Sequence, residues 1–167
     1  MTMSADLQDA YNHQIALEFA SSYAYLQMAA FFDDGNLPGF GNWMRQQAEE
    51  ERAHAMKFFD FVLDRDNQVE LRSIPAPSAD YTSPRSAFVA SLAHEQMITR
   101  SIHDLYAQAT NEKDYPSLPL LHWFINEQVE EEATMSELVE QISMAGDNGA
   151  ALLLLDRELG TRVSAGK

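Results

Sequence analysis

The chain contains no cysteine. Disulfides, zinc-thiolate sites and thiol chemistry are therefore excluded, and the composition suits a reducing compartment. Positive charge is also scarce: 11 Lys and Arg stand against 26 Asp and Glu, a formal charge of −15. Phosphate binding needs a positive footprint, so nucleic acid is not an expected partner. No apolar stretch approaches the ~20 residues that a membrane span requires, so membrane insertion is not expected. The start, Met1-Thr2-Met3-Ser4-Ala5-Asp6, lacks the basic residues and apolar run of a signal peptide and predicts a cytoplasmic protein. What remains, 46% hydrophobic residues in 167, is enough for one domain with a proper core, covering 1–167.

Apolar residues recur at steps of three and four along most of the chain, which predicts an all-α protein. A first helix is expected from about Asp6 to Asp33, and Gly35-Asn36-Leu37-Pro38-Gly39 turns into a second that ends near Asp66. The proline-rich segment 67–83 is too irregular for a helix and predicts a long crossover, so that the second and third helices run parallel. Ser83-Pro84 begins the third helix as cap and first-turn proline. Asn111-Glu112-Lys113-Asp114-Tyr115-Pro116 separates it from a fourth, which tolerates Pro119 in its first turn and ends near Ala145. Residues 6–145 thus predict a four-helix bundle. After Gly146-Asp147-Asn148-Gly149 a short fifth helix is expected from Ala150 to about Arg162. Its run Leu152-Leu153-Leu154-Leu155 covers every side of a helix, more than one bundle can hide, and predicts subunit contacts.

Polar residues interrupt the buried stripes at mid-length. The second helix carries Phe40, Met44, Gln47, Glu51, His54, Phe58 and Val62 on one face. Glu18 and then Ser21 occupy the first stripe, Glu95 the third, and Gln128 with Glu131 the fourth. Taking an ionised carboxylate out of water costs several kcal/mol unless a cation or good hydrogen bonds compensate. If the four helices pack antiparallel, their midpoints meet, and two divalent ions would neutralise the converging groups. Di-iron carboxylate bundles use this plan. Oxygen and imidazole donors suit iron or manganese.

These residues resemble the ferritins, and in particular bacterial non-haem ferritins. The resemblance runs from Glu18 and Tyr25, through Glu49-Glu50-Glu51-Arg52-Ala53-His54-Ala55 and Glu95, to Trp123-Phe124-Ile125-Asn126-Glu127-Gln128-Val129-Glu130-Glu131-Glu132 and the fifth helix. It implies the ferritin-like bundle and a cage of twenty-four subunits that oxidises Fe2+ with O2 or H2O2 and stores the ferric product as a mineral. By similarity, one iron falls to Glu18, Glu51 and His54 and the other to Glu51, Glu95 and Glu131, with Glu51 bridging and Gln128 close by. A third iron would map to Glu50, Glu127 and Glu130, with Glu131 shared. Tyr25 matches the tyrosine beside the centre, an electron donor and hydrogen-bond partner.

Departures from the family refine the expectation. Bacterioferritins ligate haem through a Met directly after the bridging Glu; Arg52 stands there, so no haem is expected. The positions that supply acidic threefold channels in animal ferritins are Leu118 and Leu121 here, so an acidic funnel is not expected. A peroxidase-type di-iron oxidoreductase without storage is the alternative, but it would want a second Glu-x-x-His where this chain has Gln128-x-x-Glu131. A small DNA-protecting ferritin-like protein would lack Glu18, Glu95 and the fifth helix. A metal-free helical assembly would leave the polar residues on apolar stripes unexplained. Glu132 is expected to be solvated, and His13, His94, His103 and His122 to lie off the site.

Overall fold

A computed structural model of the chain describes residues 1–163. The expected domain of 1–167 extends to residues 164–167, which lie outside the described residues. Among the described residues five α-helices form: α1 (Ala5–Asp34), α2 (Pro38–Asp64), α3 (Pro84–Asn111), α4 (Leu118–Ala145) and α5 (Gly149–Leu159), with a 3-10 turn at Tyr115–Ser117. The described residues include no strand. None of the helices is long and apolar enough to cross a membrane.

The helix starts follow local chemistry. Ser4 Oγ accepts from the Leu7 amide at 3.0 Å. Ser83 and Ser86 form a reciprocal capping box ahead of α3. Asn148 Oδ1 accepts from the amides of Ala150 and Ala151 at 3.1 and 3.2 Å. After α1 and α2, Asn36 and Asp66 both turn the chain at φ 57°, a left-handed conformation that short polar side chains tolerate.

The core is two apolar clusters rather than one. At one end, Tyr25, Met28 and Phe32 of α1 meet Phe40, Trp43 and Met44 of α2, Phe88 of α3, and Met135, Leu138 and Ile142 of α4. At the other, Leu7, Tyr11 and Ile15 of α1 meet Phe58 and Val62 of α2, Ile98, Ile102 and Leu105 of α3, and Leu121 and Phe124 of α4. Which end each helix reaches first fixes the topology. α1 and α4 run one way, α2 and α3 the other, so the expected parallel pair is present and the segment from Arg65 to Ser83 travels the length of the bundle. That segment is held against α1: the buried Asn12 donates to the Gln68 carbonyl and accepts from the Glu70 amide, both at 3.0 Å. Gln8 Oε1 accepts from Asn67 Nδ2 and from the Gln68 amide.

α1 packs on α2 and α3, and α3 on α4, but no Cα of α2 comes within 8 Å of one in α4. Long side chains span that gap. Phe58 and Phe124 stack across it with centroids 3.9 Å apart, and above them stands the polar layer.

α5 closes the end nearer Trp43. Leu152, Leu155 and Leu159 pack on the first cluster, while Leu153 and Leu154 are exposed. Asp156 is buried and its Oδ1 accepts from the Phe40 amide at 2.9 Å. The expected extension of α5 to Arg162 does not occur. Gly160 comes so close to Gly39 that a Cβ built on it would lie 3.2 Å from Gly39 Cα, and the chain leaves the helix there and turns toward α2. A Cβ on Gly39 would fall 1.6 Å from the Asp156 carbonyl oxygen, so only glycine permits this docking. Gly39→Ala is therefore expected to lever α5 off the bundle and destabilise the protein by about 1–3 kcal/mol. Gly149→Ala, where nothing lies within 4 Å of the added methyl, should be neutral or stabilising by less than about 1 kcal/mol. Thermal unfolding of both variants beside the parent checks the contrast.

Candidate metal centre

Between the two apolar clusters lies a buried polar layer. Glu18, Gln47, Glu51, His54, Glu95, Gln128 and Glu131 are each at most 7% exposed. Each comes from mid-helix, one turn from an apolar residue on the same face, so the rigid helices fix where the side chains meet. Glu18, Glu51 and His54 present ligand atoms within 4.8 Å of one another, as do Glu51, Glu95 and Glu131. Glu51 belongs to both groups. A third group joins Glu50, His54 and Glu127. Of the residues expected around a third ion, Glu50 and Glu127 come together with His54, while Glu130 is exposed.

Hydrogen bonds orient the carboxylates. Gln14 Nε2 donates to Glu18 Oε1 at 2.7 Å, and Gln47 Nε2 donates to Glu51 Oε1 at 3.0 Å and to Glu131 Oε2 at 2.9 Å. Tyr25 donates its hydroxyl to Glu95. Gln128 Nε2 donates to the Glu95 carbonyl and carboxylate at 3.2 and 3.3 Å. His54 Nδ1 lies 3.2 Å from Glu51 Oε2, with its ring edge-on to Trp123 and Phe124. No donor among the described residues reaches the buried Glu18 Oε2. A buried carboxylate oxygen without a donor is costly and is a natural cation ligand.

Gln14 and Gln47 were not among the expected site residues, yet the sequence carried a signal for them. Each stands four residues before a stripe carboxylate, one helical turn away on the same face. Glu132 also departs from expectation: it is half-buried and accepts from Thr99 Oγ1 at 2.5 Å. His13, His103 and His122 are exposed, whereas His94 is half-buried with its Nε2 2.6 Å from Ser21 Oγ.

The electrostatics describe a pocket short of positive charge. Burial, then the Glu51 charge, pushes Glu18 from 4.5 up to about 8. Burial with the charges of Glu51 and Glu50 lifts Glu131 likewise to about 8. Burial and the charges of Glu51 and Glu131 hold Glu95 well above the carboxylate range. Burial alone would depress His54, but its hydrogen bond to Glu51 and the surrounding carboxylates overcome this and raise it to about 9. Near neutrality the pocket thus retains protons that a divalent cation would replace.

A four-helix bundle with a carboxylate-rich core defines a class, and the comparisons identify it. The ferritin-like domain model matches residues 8–145, and the chain belongs to that family. Its relatives include the bacterial non-heme ferritins of Staphylococcus haemolyticus strain JCSC1435, 40% identical over 160 residues and 96% of both chains, and of Staphylococcus aureus strain MRSA252, 39% identical over the same share. Among solved structures, a novel open pore ferritin from the hyperthermophilic archaeon Archaeoglobus fulgidus is similar, with a TM-score of 0.95, 43% identity, and 97% of this chain and all of that one covered. A closed form of that ferritin, engineered by site-directed mutagenesis, has a TM-score of 0.96 and 44% identity, covering 97% of this chain and 99% of that one.

The raised groups set a pH dependence. Glu18 and Glu131 keep their protons in the fold up to about 8 but release them near 4.5 when unfolded. His54 likewise holds its proton to about 9 in the fold, against 6.5 unfolded. The fold therefore binds more protons than the unfolded chain across this range, and stability falls as pH rises. Calorimetry of the metal-free protein should show Tm declining between pH 5 and pH 9, and Zn2+ should reverse the decline most strongly at the alkaline end.

Proposed function

We propose that this chain is a ferroxidase and iron-storage subunit, with Fe2+ as its substrate and the ferric product as its cargo. The observation that carries this most directly is the pair of three-residue groups sharing Glu51, with the donorless Glu18 Oε2 in one of them. Glu18, Glu51 and His54 would hold one Fe2+ and Glu51, Glu95 and Glu131 the other, with Gln128 alongside. Both irons are substrate. Hard carboxylate oxygens favour Fe3+ over Fe2+, which lowers the potential and eases electron loss. Two Fe2+ held side by side supply the electron pair that takes O2 to peroxide, or H2O2 to water.

The chain's own residues would handle the protons and the geometry. Glu18, Glu131 and His54, held protonated near neutrality, release protons as cations enter. Gln14, Gln47 and Gln128 keep the carboxylates aimed inward through the hydrogen bonds already described. The Tyr25 hydroxyl on Glu95 is within reach to act as hydrogen-bond partner and electron donor. Glu50 and Glu127, with Glu130 nearby in sequence, would serve a third iron on its way toward storage. Single carboxylate ligands in place of a second histidine favour release of the product.

Storage requires a container. A homo-oligomeric cage of twenty-four subunits in the cytoplasm is part of the proposal, supported by family membership and by the exposed Leu153 and Leu154 on α5, which would meet neighbouring subunits. Ferric absorbance after aerobic addition of Fe2+ to metal-free protein, combined with size exclusion, tests both halves. Fast oxidation with iron co-eluting in a cage-sized particle is expected. Glu51→Ala and His54→Ala should each slow oxidation by about tenfold or more without changing particle size. Oxidation no faster than in buffer would overturn the ferroxidase function, and oxidation without retained iron would favour the peroxidase-type alternative.

A further inference from the structure

Arg162 follows α5 and returns the chain to the wall of the bundle. Its Nη1 donates to Gln47 Oε1 at 2.8 Å and its Nη2 to Glu50 Oε2 at 2.7 Å. The guanidinium carbon stands 4.5 Å from the centre of the Trp43 ring, and the Arg162 carbonyl accepts from Asn42 Nδ2 at 3.0 Å. Trp43, Gln47 and Glu50 are spaced four and three residues apart, so one face of α2 receives the whole side chain. Glu50 also belongs to the outer group with His54 and Glu127, and Gln47 donates to Glu51 and Glu131 of the central groups.

We propose, resting on the ferroxidase function above, that Arg162 is a displaceable counter-ion for the outer group: its guanidinium neutralises Glu50, and a divalent cation held by Glu50 and Glu127, once His54 is engaged by the central pair, must displace it. One carboxylate cannot give its full charge to a guanidinium and to a divalent cation at once, so the two compete. Displacement does not require α5 to undock. The backbone of Arg162 stays held by Asn42 and α5 by Asp156 on the Phe40 amide, while the side chain, about a quarter exposed at 26%, can swing outward from Trp43. Gln47 keeps its bonds to Glu51 and Glu131 through its own Nε2, so the central groups are little affected. Arg162 thereby sets the threshold cation concentration at which the outer group fills after the central pair.

The test is anaerobic titration of the metal-free assembled protein with Co2+, a probe that O2 chemistry does not consume, followed by calorimetry and visible absorption. The parent should bind two Co2+ per subunit, then a third more weakly. Arg162→Met keeps the stem over Trp43 but removes the charge. It should tighten the third step by about fivefold, the equivalent of a partly exposed ion pair worth roughly 1 kcal/mol, and leave the first two within about twofold. Arg162→Lys retains the charge and should leave the third step as weak as in the parent. A third step that is unchanged in Arg162→Met, absent from both proteins, or tightened equally by Arg162→Lys overturns the counter-ion role. So does a weakening of all three steps together, which marks a role in holding the bundle rather than in competing for Glu50. Loss of the central pair from the parent itself, the pair that Glu51→Ala abolishes, would instead overturn the proposed ferroxidase function.

Discussion

Glu51 repels the carboxylates of Glu18, Glu95 and Glu131 inside the bundle core, where burial leaves little solvent screening. Burial, added to by this repulsion, is why three of these acids are held protonated. An apolar core of the same shape would be easier to fold. The arrangement becomes favourable when positive charge enters, and His54 alone cannot supply enough. Binding energy that would otherwise be spent ordering ligands is thus stored in a pocket already shaped, with its carboxylates held in place by hydrogen bonds from Gln14, Gln47 and Gln128.

The rest of the bundle is built to carry that layer. Two apolar clusters, one at each end, supply the burial that offsets it, and aromatic stacking such as Phe58 on Phe124 closes the floor. The wide spacing between α2 and α4 makes room for carboxylates reaching from both sides. The crossover lets α2 and α3 run parallel, so every adjacent pair of helices is antiparallel and all four midpoints fall at one level. Asn12, buried and polar on the outer side of α1, binds this crossover rather than the centre. Burial of a polar group therefore does not by itself mark the site; convergence with other such groups does.

Much of this was legible in the chain. Helical spacing predicted the elements and their order, because an amphipathic face needs only i to i+3 and i+4 recurrence. Polar residues interrupting those faces predicted Glu18, Glu51, His54, Glu95, Gln128 and Glu131, because burying a carboxylate is too costly to be incidental. α5 ends short of the expected Arg162, at Gly160, a residue type that commonly ends helices; what the chain alone did not show is that Gly160 packs directly on Gly39, distant in sequence. The chain alone suggests that Glu132 is solvated, but Thr99 on the neighbouring helix donates to it and it is half-buried.

The sequence by itself determined which residues lie inside each helix, since periodicity and the cost of buried charge are local properties, and it determined the acidic, cysteine-free chemistry that the centre can use. Tertiary structure alone decided which donors meet. It grouped Glu50 with His54 and Glu127, turned Gln47 toward two carboxylates on different helices, and brought Arg162 back onto Glu50. The pairings between helices depend on helix spacing, rotation and the docking of α5, which are set by packing across the whole bundle; only the i to i+4 contacts within α2, Gln47 with Glu51 and Glu50 with His54, leave a trace at fixed spacing along the chain.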